Sequence, residues 1–556
     1  MMKMVNWYDP GQLLKTALKV AVSTIFGRHA DYRLLEALGR GPATIYDYTK
    51  REDGQTRDEI WIDYVADTGD GWDSTYAVAY YATRAQLAAQ APDGTEHQTE
   101  RGQILIFGGD EVYPTPTRKE YEQRLVAPYR TALPFTDPPH PHVFAIPGNH
   151  DWYDSLVSFT RLFCSKQWFA GWRTPQNLSY FALRLPHGWW LLGTDVQLGS
   201  DIDQPQVEYF QRVAQQMSPG DRVILCNAEP HWISAAVYKD YDESVFNENS
   251  LTFLESDKVL GRKISLFIAG DLHHYRRHEA ADGTHKITAG GGGAFLHPTH
   301  GPDVSSLPGG YVLKKSFPDI ATSIKLCRRN LLFPILNPRF GILTGFFYLL
   351  TAWSAMTNVG VFGIHQFILA VAAAINGALN KPLAVFWGLA VLFGFILFTD
   401  THSKLYRWIM GPIHGMTHVI ATFFIGWFAT YYGVTVLGLP FRSTRQLLLA
   451  GIIIFPAGWI IGSFILGIYL WASLNLFARH GNEAFSSLAI PDWKNFLRLR
   501  IDAGGDLTIY PIGIRRVPRK WRHRPAGAGG PAQEPHDRHA TAPELIEPPI
   551  IIQTHR

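Results

Sequence analysis

Cysteine is scarce in this chain of 556 residues: there are three, Cys164, Cys226 and Cys327, and they lie far apart. That spacing excludes a disulfide framework and a CxxC metal site, and is compatible with a reducing compartment. Charge is scarce too. Only 18% of residues are Asp, Glu, Lys or Arg, and the formal net charge of +3 is too small to imply a nucleic-acid partner. The amino-terminal stretch lacks an uninterrupted apolar run, because Lys15 and Lys19 break it. It reads as an amphipathic helix, not a signal peptide, so the soluble half of the chain is expected in the cytoplasm. Apolar residues are plentiful, at 46%, but unevenly spread. Residues 1–330 read as a soluble globular protein, and 331–477 are dominated by long apolar runs. A chain of this length is expected to form more than one domain.

Five short acidic and histidine-bearing strings stand in order within residues 63–274. Most follow an apolar, strand-like run. They are Asp67-Thr68-Gly69 after "IDYVA", Gly109-Asp110-Glu111-Val112-Tyr113 after "ILIFG", and Gly148-Asn149-His150-Asp151 after "VFAIP". Then come "VILCNAEPHW" (223–232) and Gly270-Asp271-Leu272-His273-His274 after "SLFIA". Hard oxygen donors and imidazoles at strand ends are what a two-metal hydrolytic site needs. His150 and Asp151 fit a general acid and the carboxylate that orients it. Strand-like runs at 104–108, 142–147, 189–194, 223–226 and 264–269 alternate with helical stretches at 74–90 and 205–217, an α/β pattern with a buried sheet.

The order of the strings resembles the calcineurin-like metallophosphoesterase superfamily, and leans towards its purple acid phosphatase branch, over roughly residues 55–300. The resemblance implies a four-layer α/β/β/α sandwich and two divalent or trivalent metal ions (Mn, Fe or Zn). It implies that Asp110 bridges the two ions, that Asp67 and His273 serve the first, and that Asn149 serves the second. Tyr113 stands where the purple acid phosphatases have an iron-binding phenolate. Asp271 replaces the first histidine of the family's fifth string and favours harder ions such as Mn²⁺ or Fe over Zn²⁺. In the fourth string Ala228 stands where the family has a metal-binding histidine; Asn227, Glu229 or His231 are the substitutes at hand, Glu229 and His231 foremost. His297 and His300, after the glycine-rich loop, are candidate phosphate or metal contacts. His274 and His278 read as supporting or surface groups. The aromatic run from Trp152 and Tyr153 to Trp172 reads as core, with a second reading as a wall for an apolar substrate tail.

Apolar stretches at 340–356, 361–378, 383–399, 413–438 and 447–477 follow. Three approach or exceed the ~20 residues that span a bilayer. Basic clusters at Arg328, Arg329 and Arg339, at Lys404 and Arg407, and at Arg479, Lys494, Arg498 and Arg500 favour an even number of crossings. The stretch holding His365, Gln366 and Asn376, or the long one containing Pro456, is then the odd element. His414 and His418, one turn apart, read as an interfacial pair. The expected order is a helical segment 1–54, a catalytic domain 55–302, a connector 303–330, an all-α transmembrane module 331–477, a small β-rich C-terminal domain 478–521 and a disordered tail 522–556. The function expected is hydrolysis of a phosphate mono- or diester or a pyrophosphate, with membrane lipids as partners and no nucleic acid; the fusion suggests a lipid-linked substrate, and anchoring alone explains the spans equally well. The alternative is a metal- or nucleotide-binding sensor that regulates its own membrane module.

Overall fold

The computed structural model describes residues 1–16, 18, 44–165, 167–196, 202–238, 242–399, 403–524 and 531–554. Most of the amino-terminal segment expected to be helical, at 10–45, lies outside the described residues. Two compact units form. One comprises Met1–Val5, Lys15–Ser323 and Ala489–Arg556; the other comprises Asn6–Leu14 and Ile324–Leu488.

In chain order the first unit contains β1 (Ile60–Val65), α1 (Trp72–Ala82), β2 (Gln86–Gln90), β3 (Ile104–Phe107), β4 (His142–Ala145) and β5 (Trp189–Gly193). There follow α2 (Gln204–Ala214), β6 (Arg222–Asn227), α3 (His231–Val237), β7 (Leu266–Ala269), β8 (Tyr275–Glu279), β9 (His285–Ala289) and β10 (Tyr311–Phe317). The second unit contains α4 (Pro338–Met356), α5 (Phe367–Leu379), α6 (Pro382–Phe398), α7 (Lys404–Tyr431) and α8 (Thr444–Phe477). The chain then returns to the first unit with β11 (Lys494–Ile501) and β12 (Leu507–Ile514).

Two large sheets carry the first unit. One contains β5-β6-β7-β9-β8-β10 as neighbours, with β5, β6, β7 and β9 parallel. The other contains β12-β11-β1-β3-β4, with β1, β3 and β4 parallel and β11 antiparallel to β1. Period-two alternation sets the layers. Ile60, Ile62 and Tyr64 of β1 face a core shared with Ile224, Ile268 and Ile287 of the other sheet. Trp61 and Val65 face the opposite way, onto Tyr76 and Val78 of α1. On the far side of the second sheet, Val223 and Leu225 of β6 pack with Val207 and Phe210 of α2. The result is the expected α/β/β/α sandwich.

The structure departs from expectation in three places. Residues 86–90, expected to continue a helix, are β2: their alternating exposed and buried residues pair with Glu96–Glu100, and sheet pairing overrides local propensity. The carboxy-terminal β-rich segment is not a domain of its own, because β11 lies beside β1 in the main sheet. Nor are residues 522–556 bare of structure: Glu544–Leu545 and Ile550–Ile552 pair with β12. Lys494 and Arg498, counted above with a membrane-flanking cluster, are both fully buried in that sheet.

Arg498 sits opposite Asp63 in the register of β11 and β1. Its Nε lies 2.6 Å from Asp63 Oδ1 and it also donates to the Thr99 hydroxyl and the Ala82 carbonyl. Asp63 takes a further bond from the Gly102 N–H. Every polar atom of this buried pair thus has a partner, which is what makes its burial tolerable.

In the second unit, two helices are long and apolar enough to cross a membrane, Lys404–Val436 and Thr444–Phe477. Helices α5 and α6 together form a third apolar element, bent by 99°. Glycines let α4 and α8 approach: a Cβ on Gly345 would lie 2.8 Å from the Phe455 carbonyl, and one on Gly462 2.9 Å from Thr344 Cβ.

Arg498→Met should destabilise the protein by about 3–5 kcal/mol, because it strands Asp63 as an unpaired buried charge. Asp63→Leu combined with Arg498→Met should recover most of that loss. Thermal unfolding of both variants checks this; equal stability would mean that the pair does not join β11 to β1.

Candidate metal centre

The five sequence strings converge at the carboxyl ends of parallel strands drawn from both sheets: β1, β3 and β4 of one, β6 and β7 of the other. Asp67, Asp110 and Asp271 each adopt the left-handed backbone just after a strand, with φ of 56°, 51° and 64°. Asp tolerates that region better than most residues, and it turns the carboxylates inward. Two glycines make room. A Cβ on Gly270 would lie 2.6 Å from Asp67 Oδ2, and one on Gly148 would strike the Asp110 carboxylate.

The hub is Tyr113, fully buried. Its hydroxyl lies 3.1 Å from Asp67 Oδ1, 3.0 Å from Asp110 Oδ2 and 2.9 Å from His273 Nε2. The Nδ1–H of His273 donates to the Phe295 carbonyl at 2.7 Å, so its Nε2 carries a lone pair. One phenolic proton therefore faces three acceptors. Burial, followed by the Asp110 and Asp271 carboxylates, holds Asp67 well above the usual carboxylate range. Burial, followed by Asp151, pushes Asp110 up to about 8. Burial also pushes the His273 pKa well below the usual imidazole range.

Among the described residues, no group of three or more His, Cys, Asp and Glu side chains closes around a point where an ion would sit. The cluster that does form is centred on a phenol. The three Tyr113 distances are those of ordinary hydrogen bonds, and the oxygens and the imidazole nitrogen that make them are donor atoms that would suit a cation such as Mn²⁺ or Fe. The Asn149 side-chain oxygen is buried with no hydrogen-bond partner. These observations fit a cation held by Asp67, Asp110, Tyr113 and His273, with Asn149 beside it.

The other expected residues divide. Burial, followed by the Glu229 and Asp110 carboxylates, raises the Asp271 pKa, so these three carboxylates lie close enough to repel one another. His231 is buried with its Nε2 3.3 Å from Glu229. Asn227 is occupied elsewhere, accepting from Thr194 and donating to the Glu229 carbonyl. Ala228 turns its methyl towards Gly109, where a Cβ would come within 2.6 Å. His297 stacks on His273, with centroids 3.8 Å apart. His300 instead bonds Ser323 through Nδ1 at 2.7 Å. Tyr153 packs edge-on against His150, and Trp152 donates to Asp195. His274 and His278 are both buried, so neither is a surface group.

Asp151 is not the group that orients His150. The His150 Nδ1–H points to the Pro114 carbonyl at 3.0 Å. The Asp151 carboxylate instead accepts from the Gly148 and Glu111 N–H groups and from the Tyr121 hydroxyl, which clamps the loop.

Sequence reasoning missed a supporting layer. The loop Gly290–His297 holds two of the hub's ligands: Phe295 orients His273, and the Ala294 N–H bonds the Asp67 carbonyl at 2.8 Å. That loop is in turn held by the segment after the helical unit. Leu296 bonds the Ile490 carbonyl, the Asn495 N–H bonds the Gly291 carbonyl, and the Lys494 ammonium donates to the Ala294 carbonyl. The run of four glycines was the only visible signal, and it says nothing of partners that lie about 200 residues away.

Residues 60–275 match the calcineurin-like phosphoesterase family. The matched phosphoesterase domain is less than half of the chain. Similar solved structures include GAP50, the anchor in the inner membrane complex of Plasmodium, at 11% identity and a TM-score of 0.33, with 46% of this chain and 76% of that one covered. Purple acid phosphatase PPD1 from yellow lupin (Lupinus luteus) seeds is 12% identical with a TM-score of 0.29, covering 43% of this chain and 45% of its own. The phosphopantetheinyl hydrolase of Mycobacterium tuberculosis is 11% identical with a TM-score of 0.19, covering 41% of this chain and 89% of its own. No curated protein matches the chain.

A carboxyl whose folded pKa is raised favours the folded state below its unfolded pKa, and loses that advantage as the pH climbs through the folded value. With Asp110 raised to about 8 and Asp70 to about 6, metal-free protein should lose stability between about pH 5 and about pH 8. Mn²⁺ should restore it at the upper end and release protons on binding. Thermal unfolding with EDTA or Mn²⁺ at both pH values checks this. Identical unfolding with and without Mn²⁺ would remove the cation from the site.

Proposed function

We propose that this chain is a membrane-integrated, metal-dependent phosphoesterase that hydrolyses a phosphate monoester, diester or pyrophosphate at a dinuclear centre, with a lipid-linked compound as its substrate. The observation that carries the reading is the convergence of Asp67, Asp110 and His273 on the Tyr113 hydroxyl, within a domain that matches the calcineurin-like phosphoesterases. Asp67, Asp110, Tyr113 and His273 would hold the first ion; Asp110, Asn149 and Asp271 or Glu229 would hold the second. Bound ions of this kind activate water and neutralise phosphoryl oxygens.

The protein's own groups do the rest. The His150 Nδ1–H is held by the Pro114 carbonyl, so Nε2 is the other ring atom, and it gives a proton to the leaving oxygen only from the imidazolium form. Burial lowers the His150 pKa, and the Asp151 and Asp70 carboxylates oppose that shift. Tyr153 packs on the His150 ring and limits its motion.

A second reading, a metal-binding sensor without turnover, has one observation in its favour. The position beside Asp110 where the family has a histidine is filled by the Ala228 methyl. Metal analysis of the purified protein, with assays on aryl phosphate mono- and diesters, separates the two. Bound metal with turnover supports the enzyme; bound metal without turnover supports the sensor.

Asp110→Asn should lose both ions and all hydrolysis. His150→Ala should keep the ions and slow turnover by roughly 10²–10⁴-fold, with a smaller loss for nitrophenyl esters than for alkyl esters. Equal losses across leaving groups would rule out the acid role.

The topology of the membrane part follows the same reading. Strands before and after the helical unit belong to one sheet, and a bilayer cannot divide a hydrogen-bonded sheet. On this reading the unit would cross an even number of times, and the phosphoesterase domain would lie in the cytoplasm. Reporters placed at about residues 305 and 554 should both read cytoplasmic; opposite readings would establish an odd count.

A further inference from the structure

The turn Asp151–Asp154 carries four side chains just after His150. Three of them are engaged inside the protein. The Asp151 carboxylate accepts from the Gly148 and Glu111 N–H groups and from the Tyr121 hydroxyl. Trp152 donates to Asp195 at 3.0 Å. Asp154 accepts from the N–H and the hydroxyl of Ser158, at 3.2 and 2.6 Å. Tyr153 is the exception. It is half-buried, its hydroxyl bonds to no group among the described residues, and that oxygen is open to solvent.

The phenol lies on the side of the metal centre. Its ring meets the His150 imidazole with centroids 4.9 Å apart, and the same imidazole lies 4.5 Å from the Tyr113 ring. Burial, followed by the Asp110, Asp271 and Glu229 carboxylates, raises the Tyr153 pKa. These three acids follow β3, β7 and β6. Coulomb effects fade with distance, so one hydroxyl senses all three only where those strand ends converge. The phenol therefore keeps its proton at neutral pH and is a hydrogen-bond donor.

We infer that the Tyr153 hydroxyl donates a hydrogen bond to a phosphoryl oxygen of the substrate, and is thus a catalytic residue beside His150. This rests on the phosphoesterase reading of the site. A phosphoryl group brings negative charge to a place already crowded with carboxylates. A neutral phenol supplies a donor there without adding a further anion. The turn is pinned through Asp151, Trp152 and Asp154, so the donor needs little reordering when substrate arrives. His150 then serves the leaving oxygen, and Tyr153 serves an oxygen that stays on phosphorus. A wall for an apolar tail would use the ring of Tyr153 and not its hydroxyl.

Tyr153→Phe separates the two, because the phenyl ring keeps the contact with His150. Full-length protein in detergent, saturated with Mn²⁺, is titrated with vanadate, an oxyanion shaped like phosphate. Tyr153→Phe should hold Mn²⁺ as the unsubstituted protein does. It should bind vanadate about tenfold more weakly, the weight of one hydrogen bond to a charged group. Turnover should fall by a similar factor, and equally for nitrophenyl and alkyl esters, because this donor does not act on the leaving oxygen. Equal vanadate affinity in the two proteins would overturn the inference. Loss of Mn²⁺ from Tyr153→Phe would make the phenol a metal ligand, and a turnover loss that grows with poorer leaving groups would give it the acid role; each overturns it as well. The vanadate titration reads the site whether or not the protein turns over. Mn²⁺-loaded unsubstituted protein that ignores vanadate would overturn the phosphoesterase reading together with this inference, whereas equal binding with either side chain overturns this inference alone.

Discussion

The pairing of β11 with β1 is the constraint on which the rest of the architecture depends. Strand β1 leads into Asp67, and its outer neighbour arrives only after the whole helical unit has been made. The sheet is therefore complete only when residues more than 400 positions apart in sequence have met, as Asp63 and Arg498 do. Such a contact carries a large loop-closure entropy, offset here by burial of Leu497, Leu499 and Ile501 between the sheets. The helical unit is thus inserted between segments of the first compact unit, not appended to it as a tail.

The same strand reaches the chemistry. Lys494 and Asn495 hold the glycine-rich loop, and that loop holds His273 and Asp67. Groups that orient metal ligands weigh heavily on metal affinity, because a ligand that must first be ordered binds less well.

The crowding of Asp67, Asp110, Asp271 and Glu229 sets the electrostatics. Buried carboxylates this close repel one another and take up protons unless a cation intervenes. Tyr113 supplies one proton to three acceptors, and that imbalance is what distinguishes this centre from an ordinary hydrogen-bonded core.

The local patterns were legible in the chain itself. Short continuous apolar runs, most followed by Asp, Asn or His, announced the strands and the order of the site, because a strand end is a local event. Long apolar runs likewise announced α4 to α8, since only composition and length decide whether a helix can sit in lipid. What the sequence could not reveal was which distant groups would meet. Gln86–Gln90 became a strand because a neighbour offered hydrogen bonds. Asp151 became a loop clamp because Tyr121 and two N–H groups reached it before His150 did. The strands after the helical unit, read as a separate small domain, closed the main sheet because their apolar face fitted that core and no other. Local propensity acts within a few residues; sheet order, buried pairing and the company kept by a polar atom are settled only when the chain has folded back on itself.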